Sequence, residues 1–273
     1  MSVRKRILLP LLLLVPAAAL AQTSVDDEND FRTRLTVELD KKLDKGLHLT
    51  AAEEFRFKDA STAIDQFRTS VGLSYKFNSY LKASAAYILI NSHGKNGFKE
   101  PRHRLSADLT GTWKTGLWNF SIRERVQMTH RTGEFNIYQN AENAWVLRSR
   151  ISARYKGLDR LTPYGFVEVR NTLNAPTVKA VYNSTTGKYS SSTGATEAGW
   201  FIDSWDGMYV NRLRLGLGME YKISKRHGLD LYLLGDYLTD KEIDASKDGT
   251  ELQSYTLQHG LNVTLGVGYT FSF

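Results

Sequence analysis

The chain has 273 residues, of which 41% are hydrophobic and 24% charged. This length and composition exclude a disordered protein and permit one large domain or two small ones. The sequence contains no cysteine, which excludes a disulfide framework and thiol catalysis. Its net charge of +7 comes from 36 Lys and Arg against 29 Asp and Glu. Three of the basic residues, Arg4, Lys5 and Arg6, lie in the first 21 residues, and without them 33 Lys and Arg against 29 Asp and Glu give +4. Because this excess is mild, we expect no nucleic-acid partner.

The amino-terminal residues 1–21 have the three parts of a secretory signal peptide. A basic start, Arg4-Lys5-Arg6, is followed by an apolar stretch and then by Ala19-Leu20-Ala21, a pattern that signal peptidase accepts. A permanent membrane anchor is the alternative, but the apolar stretch is short for a span of about 20 residues. We therefore predict a cleaved signal peptide at residues 1–21 and a single domain at residues 22–273.

From Phe31 onward, apolar side chains recur at every second position along most of the chain. This period indicates strands with one apolar face. Most segments are long enough for the roughly 9 to 11 residues that a tilted strand needs to cross a bilayer. Eleven such segments cover residues 31–39, 47–57, 67–77, 81–89, 105–113, 118–128, 145–155, 164–170, 213–221, 229–237 and 261–273.

The connections between these segments alternate between short turns, such as Asn78-Ser79, and longer loops, such as 171–206. This layout is typical of bacterial outer-membrane barrels, in which the short turns are periplasmic. A soluble sandwich would also alternate, but it has no reason to collect aromatic residues beside the short turns. We interpret those residues as an interfacial girdle. They are Phe77, Tyr80, Trp113, Trp118, Tyr155, Tyr164, Tyr221, Tyr269, Phe271 and Phe273.

The predicted fold is therefore an all-β, antiparallel, up-and-down barrel in the outer membrane of a Gram-negative bacterium. Bacterial single-chain barrels have even strand numbers, whereas eleven segments are visible. We expect about 12 strands, with 10 as the alternative. Residues 22–30 would then cross the membrane level as a weak additional strand or inside the lumen.

The last segment, LGVGYTFSF, resembles the carboxy-terminal assembly signal of bacterial outer-membrane proteins. Tyr269, Phe271 and Phe273 occupy its alternate aromatic positions. The resemblance implies recognition by the barrel-assembly machinery, after passage with periplasmic chaperones. The further partners expected for a monomeric barrel are outer-membrane lipid and lipopolysaccharide.

The second face of each strand is polar and rich in arginine, and it would line the lumen. One interpretation is a narrow, porin-like pore that favours anionic solutes, because guanidinium groups bind carboxylates. The other is a closed structural or adhesive barrel filled by a salt-bridge network. The lumen-lining candidates are Arg56, Arg68, Arg104, Arg123, Arg125, Arg148, Arg150, Arg212 and Arg214, with Glu54, Asp108, Glu168 and Glu220 as acidic partners.

A lipid-acting enzyme is a third interpretation, but the sequence marks no catalytic residues. None of the 6 histidines is paired with a serine by a recognisable motif. The acidic stretch DKEIDASKDGTE does not have the spacing of an EF-hand calcium loop. We predict neither a metal site nor a cofactor.

Several segments resemble an outer-membrane family known as domain of unknown function 2490. They are AEEFRFKD at 52–59, DQFRTSVGLSYKFNSYLKASAAY at 65–87, RHRLSADL and SIRERVQ. The most specific part is the succession of EEFRF, a loop, DQFR and GLSYKFN. The resemblance implies the barrel fold and its location over nearly the whole mature chain. Because the family has no established activity, it assigns no functional residues.

Overall fold

The computed structural model describes residues 29–94 and 97–273. The predicted signal peptide at 1–21 and most of segment 22–30 lie outside these ranges. The described part is all-β. The strands are β1 (Asp30–Asp44), β2 (Leu47–Lys58), β3 (Ala63–Lys76), β4 (Leu81–Gly94), β5 (Gly97–Phe98), β6 (Arg102–Thr115), β7 (Trp118–Arg131), β8 (Asn143–Tyr155), β9 (Leu161–Val178), β10 (Ala180–Asn183), β11 (Lys188–Ser191), β12 (Ile202–Lys222), β13 (His227–Ala245) and β14 (Leu252–Ser272).

The main sheet has 12 strands, in the order β3-β2-β1-β14-β13-β12-β9-β8-β7-β6-β4-β5, and an additional β3–β4 pairing closes it into a barrel. The two-residue β5 is an appendage of β4, so 11 strands form the closed wall. The predicted barrel is confirmed, and its sheet is roughly the predicted size. Closure removes the free edges that an open sheet would expose. Within the described ranges, no helix has the length and apolarity needed to span a membrane.

The barrel closes through a parallel pair, which differs from the fully antiparallel prediction. Strand β1 runs beside β14 in register from Asp30↔Asn262 to Asp40↔Ser272. The remaining neighbours in the wall are antiparallel. Because the number of wall strands is odd, the first and last strands must run in the same direction. Asn29 therefore lies at the long-loop end, where its side chain accepts a hydrogen bond from the Leu261 amide at 2.9 Å.

Four strands extend beyond the rest of the barrel on the long-loop side. Strands β9, β12, β13 and β14 have 18, 21, 19 and 21 residues, so much of the sequence predicted as loop is strand. Within residues 171–206, predicted as one long loop, strands β10 and β11 form an antiparallel hairpin. The extended region has its own apolar core, made of Trp200, Phe201, Ile243, Ala245 and Leu252.

The two faces of the barrel wall differ sharply, as the alternation predicts. Large apolar side chains such as Leu35, Leu109 and Leu215 are 46%, 53% and 54% exposed on the outer face. Charged and polar side chains point inward. Two acidic residues are exceptions and face outward. Glu53 accepts a hydrogen bond from Thr69 at 2.7 Å, and Glu124 accepts one from Ser149 at 2.6 Å.

The aromatic residues beside the short turns face outward with one clear exception. Trp118 packs against Tyr155 with ring centroids 5.1 Å apart, and Trp113 stacks on Phe120 at 5.7 Å. Tyr164, however, points into the lumen, where its hydroxyl donates to Asp230 at 2.9 Å. The girdle assignment of Tyr164 is therefore wrong, because this residue has the same strand parity as the inward-facing Glu168.

Candidate functional site

The barrel encloses a polar cavity of about 420 Å³. Its wall comes from opposite sides of the barrel, and alternation along each strand brings the polar face inward. Eleven arginines and five carboxylates line it, which leaves six positive charges without a matching carboxylate in the lining. The arginines are Arg32, Arg34, Arg56, Arg68, Arg104, Arg125, Arg148, Arg150, Arg170, Arg212 and Arg214, and the carboxylates are those of Glu38, Glu54, Asp65, Glu168 and Asp236.

Glu168 on β9 is the centre of the largest ion-pair network in the cavity wall, and its side chain is 1% exposed. Its Oε2 accepts hydrogen bonds from Arg123 Nη2 at 2.8 Å and Arg150 Nε at 2.7 Å. Its Oε1 accepts from Arg148 at 2.5 and 3.0 Å. Arg214 Nη1 lies 3.9 Å from the same oxygen. We call this group the Glu168 junction, and it joins β7, β8, β9 and β12.

Arg214 of the Glu168 junction also belongs to one of two bidentate pairs, and a smaller cluster surrounds Glu54. Arg214 donates to Asp236 at 2.5 and 2.8 Å, which links β12 to β13. Arg125 donates to both oxygens of Asp108 at 2.5 Å. On β1, β2 and β3, Glu54 has three arginine neighbours. They are Arg56 at 2.6 Å, Arg34 at 3.4 Å and Arg68 at 4.0 Å.

Inward aromatic rings lie directly over glycines of neighbouring strands. Phe166 is the cross-strand partner of Gly216, and Tyr232 is the partner of Gly266. A β-carbon at either glycine would overlap the facing ring. The guanidinium of Arg150 stacks on the ring of Phe166, 3.8 Å from its centroid. Because Gly216 has no side chain, the ring of Phe166 can lie over it and help to position Arg150, a member of the Glu168 junction.

Arg104 and Arg170 differ from the arginines of the Glu168 junction. Arg104 donates from Nε to Thr129 Oγ1 at 2.9 Å, and no carboxylate of the described ranges lies within 4.0 Å of its guanidinium. The charges that act on it most strongly belong to four other arginines, with Arg170 first. Arg170 contacts the Asn211 side-chain amide at 3.1 Å, while Asp240 attracts it from beyond 4.0 Å.

Most of the predicted lumen residues meet in this one region. Ten of the 13 candidates line the cavity itself, and two others, Arg123 and Asp108, are bonded to residues that line it. Glu220 does not belong to this region. It pairs with Arg154 beside a second cavity, which lies among the short turns at 156–161 and 222–228.

The prediction missed several polar residues that complete the cavity wall. Asn262 and Thr264 are 4% and 3% exposed on β14, and Gln127 is 5% exposed on β7. Gln127 accepts a hydrogen bond from Arg148 at 3.0 Å. These residues carry no charge, but they alternate with outward apolar positions such as Val263. This alternation indicates that their side chains point into the lumen.

The contacts of the histidine side chains bear on the third interpretation, a lipid-acting enzyme. Throughout residues 29–94 and 97–273, no hydrogen bond joins a serine hydroxyl to a histidine ring, and Ser224 Oγ accepts instead from the His227 backbone amide at 3.3 Å. In the same ranges, no three His, Asp or Glu side chains are grouped as potential metal ligands. Histidine instead bonds to Asp40, Tyr87, Asn143 and Tyr269.

The proposed assembly residues lie at the short-turn end of β14. The Phe273 amide donates to Asp40 O at 3.0 Å, and Phe273 O accepts from the Lys42 amide at 3.0 Å. Phe271 stacks on Phe273 with centroids 5.5 Å apart, and Tyr269 bonds to His227 at 2.6 Å. Their role in assembly stays a prediction.

The family model described as protein of unknown function (DUF2490) matches residues 31–185, which is more than half of the chain. The chain belongs to this family. The match begins in β1 and ends just after β10, so it includes the arginines of β2 to β9 but not Arg212, Arg214 or Asp236. Among curated proteins, none is similar enough to the chain to serve as a relative. The family description names no activity and no location.

Proposed function

We propose that this DUF2490 protein is a bacterial outer-membrane barrel. Its support is the outer face, on which large apolar residues recur around the wall and are each about half exposed, such as Leu35, Leu73, Leu105 and Leu231. Exposed apolar surface of this extent is unfavourable in water and favourable in lipid. The signal-like segment 1–21 provides a route of export. Outer-membrane lipid, lipopolysaccharide, periplasmic chaperones and the barrel-assembly machinery are the corresponding partners, with the barrel acting as a monomer.

Within that location, we propose a narrow pore that favours anionic solutes. The observation that carries this proposal is the excess of arginine over carboxylate in a cavity of about 420 Å³. A wall of one sign concentrates ions of the opposite sign, and low-dielectric surroundings strengthen the effect. Guanidinium groups also match the geometry of carboxylate and phosphate.

A closed structural barrel is the second candidate, and the Glu168 junction favours it. Four arginines converge on one carboxylate, and a fully bonded network of this kind can fill a small barrel without any transport. The two candidates differ in whether ions from both sides of the membrane can reach the excess arginines of the cavity wall.

Cell fractionation tests the location. We expect the mature protein in the outer-membrane fraction, and we expect faster migration on a gel when the sample is not heated. Recovery in the soluble periplasmic fraction would show that the outer-membrane proposal is wrong.

Planar-bilayer recording tests the pore. In a salt gradient, the purified protein should give discrete conductance with a reversal potential that indicates anion preference. Replacing Arg212 and Arg170 together by glutamine should reduce that preference, because both line the cavity. A silent bilayer, with correctly folded protein, would favour the closed structural barrel instead.

A further inference from the structure

We propose that Arg104 and Arg170 form a binding site in the lumen for a small solute that carries at least two carboxylate or phosphoryl groups. The inference rests on the proposed function for the access of solutes to the lumen, and it narrows the solute class. The two residues lie on β6 and β9, in the long-loop half of each strand, and both line the cavity of about 420 Å³.

The first argument is the uneven distribution of carboxylates in the cavity. Glu168 alone has four arginine neighbours, and Asp236 has two. Arg104, by contrast, has only the Thr129 hydroxyl as a described hydrogen-bond partner, and its strongest electrostatic neighbours are Arg170, Arg56, Arg148 and Arg102. Grouped like charges in a space of reduced dielectric are unfavourable unless an anion joins them.

The second argument is the number of free donors that remain. A guanidinium has five N–H groups. Arg104 uses its Nε, and one terminal nitrogen of Arg170 lies 3.1 Å from the side-chain amide of Asn211. Arg212 also lines this cavity, and its Nη1 lies 3.8 Å from Asp236, which is beyond hydrogen-bond distance. These donors suit acceptors with two oxygens on one centre, which carboxylate and phosphoryl groups provide.

The third argument is size and charge number. The cavity volume lies within the range of about 300–1,000 Å³ that is typical of small-molecule sites. Arg32 and Arg125 pair with Asp30 and Asp108, which lie outside the lining, so the excess of six positive charges in the lining falls to four. This excess favours an anion with several charges over a monovalent one, since each additional charge is attracted by the same field. A chloride or acetate ion would leave most of that excess unbalanced.

The test is isothermal titration calorimetry of the folded barrel in zwitterionic detergent, with pyrophosphate and citrate as probes. Orthophosphate and acetate at matched ionic strength serve as the comparison ligands. We expect at least one of the two multivalent probes to bind at least tenfold more tightly than its simpler comparison ligand. The pyrophosphate and citrate arms distinguish phosphoryl from carboxylate solutes.

Arg104→Gln and Arg170→Gln should each weaken that binding by about tenfold or more, the loss expected when a charge-assisted contact is removed. The matched control is Arg32→Gln. Arg32 lines the same cavity, but it is paired with Asp30 at 2.8 Å and its side chain is 36% exposed. The control should retain binding within about threefold, because salt screens the more exposed charge.

Equal weakening of binding by Arg32→Gln and Arg104→Gln would overturn the site, because the overall positive potential of the cavity would then explain binding. Absence of binding by both multivalent probes would also overturn it. Variants that fail to fold are recognised by their unshifted gel mobility without heating, and Arg104→Lys then replaces Arg104→Gln. Lysine keeps the charge but not the planar fork, so we expect weakened binding here too, and unchanged binding would contradict the proposal.

Bilayer recordings separate this inference from the pore proposal. If pyrophosphate or citrate binds in detergent but the bilayer stays silent, the pore proposal fails and the site stands. If the bilayer shows anion-selective conductance but neither probe binds, the pore stands and the site is wrong.

Discussion

The lumen of this barrel contains two groups of arginines whose surroundings are opposite. Those of the Glu168 junction share a carboxylate that is 1% exposed, with contacts as short as 2.5 Å. Arg104 has a hydroxyl partner and arginine neighbours. The same residue type therefore serves two purposes in one cavity. Paired guanidinium groups cross-link the strands, whereas unpaired ones keep donors and charge available to a solute.

The largest change in the free energy of unfolding should come from Glu168→Gln. Removing the central charge leaves four arginines without their shared carboxylate. Breaking a buried ion pair in this way costs about 3–5 kcal/mol. We expect a loss of that size in the free energy of unfolding, measured by urea titration in detergent with tryptophan fluorescence.

Glu53→Gln is the matched control for that measurement. It removes the same charge from the outer face, where the side chain accepts a hydrogen bond only from Thr69 among the described contacts. Glutamine retains an acceptor, so we expect a change below about 0.5 kcal/mol, as for a typical surface substitution. If both variants lost equal stability, the Glu168 junction would not be the structural cross-link that we describe.

A smaller loss should follow from Gly216→Ala, which acts on the paired group indirectly. The new methyl group would overlap the ring of Phe166, on which Arg150 stacks at 3.8 Å. Overpacking of this kind costs about 1–3 kcal/mol. The same urea titration measures it. Gly235→Ala is the control, because a β-carbon there meets no atom within 4 Å, and equal losses for both variants would contradict the ring-over-glycine account.

The smallest effect, and one of opposite sign, should come from Arg104→Gln. Removing a charge that other arginines repel should leave the free energy of unfolding unchanged or raise it by up to about 1 kcal/mol. The partner measurement is Arg148→Gln, which removes contacts to Glu168 at 2.5 and 3.0 Å and should therefore destabilise the barrel. A larger loss for Arg104→Gln than for Arg148→Gln would reverse the assignment of the two groups.

The amino-acid sequence by itself determined which face of each strand points inward. Strand side chains alternate with a period of two, so local pattern alone places Arg56, Arg125 and Arg148 on one face of their strands, and this face lines the cavity. The same rule identifies Tyr164 as inward, since it lies four residues before Glu168. Its proximity to a short turn led to the wrong assignment, because distance from a turn does not indicate the direction of a side chain.

Only the tertiary structure decided which charges meet, how the barrel closes and where its strands end. Arg123 and Arg214 reach Glu168 from separate strands, and such contacts depend on the register and tilt of the wall. The parallel β1–β14 pair follows from an odd number of strands, which local alternation cannot count reliably. The extensions of β9 and β12 contain polar and irregular segments with several register shifts, so their pairing depends on neighbouring strands rather than on their own residues.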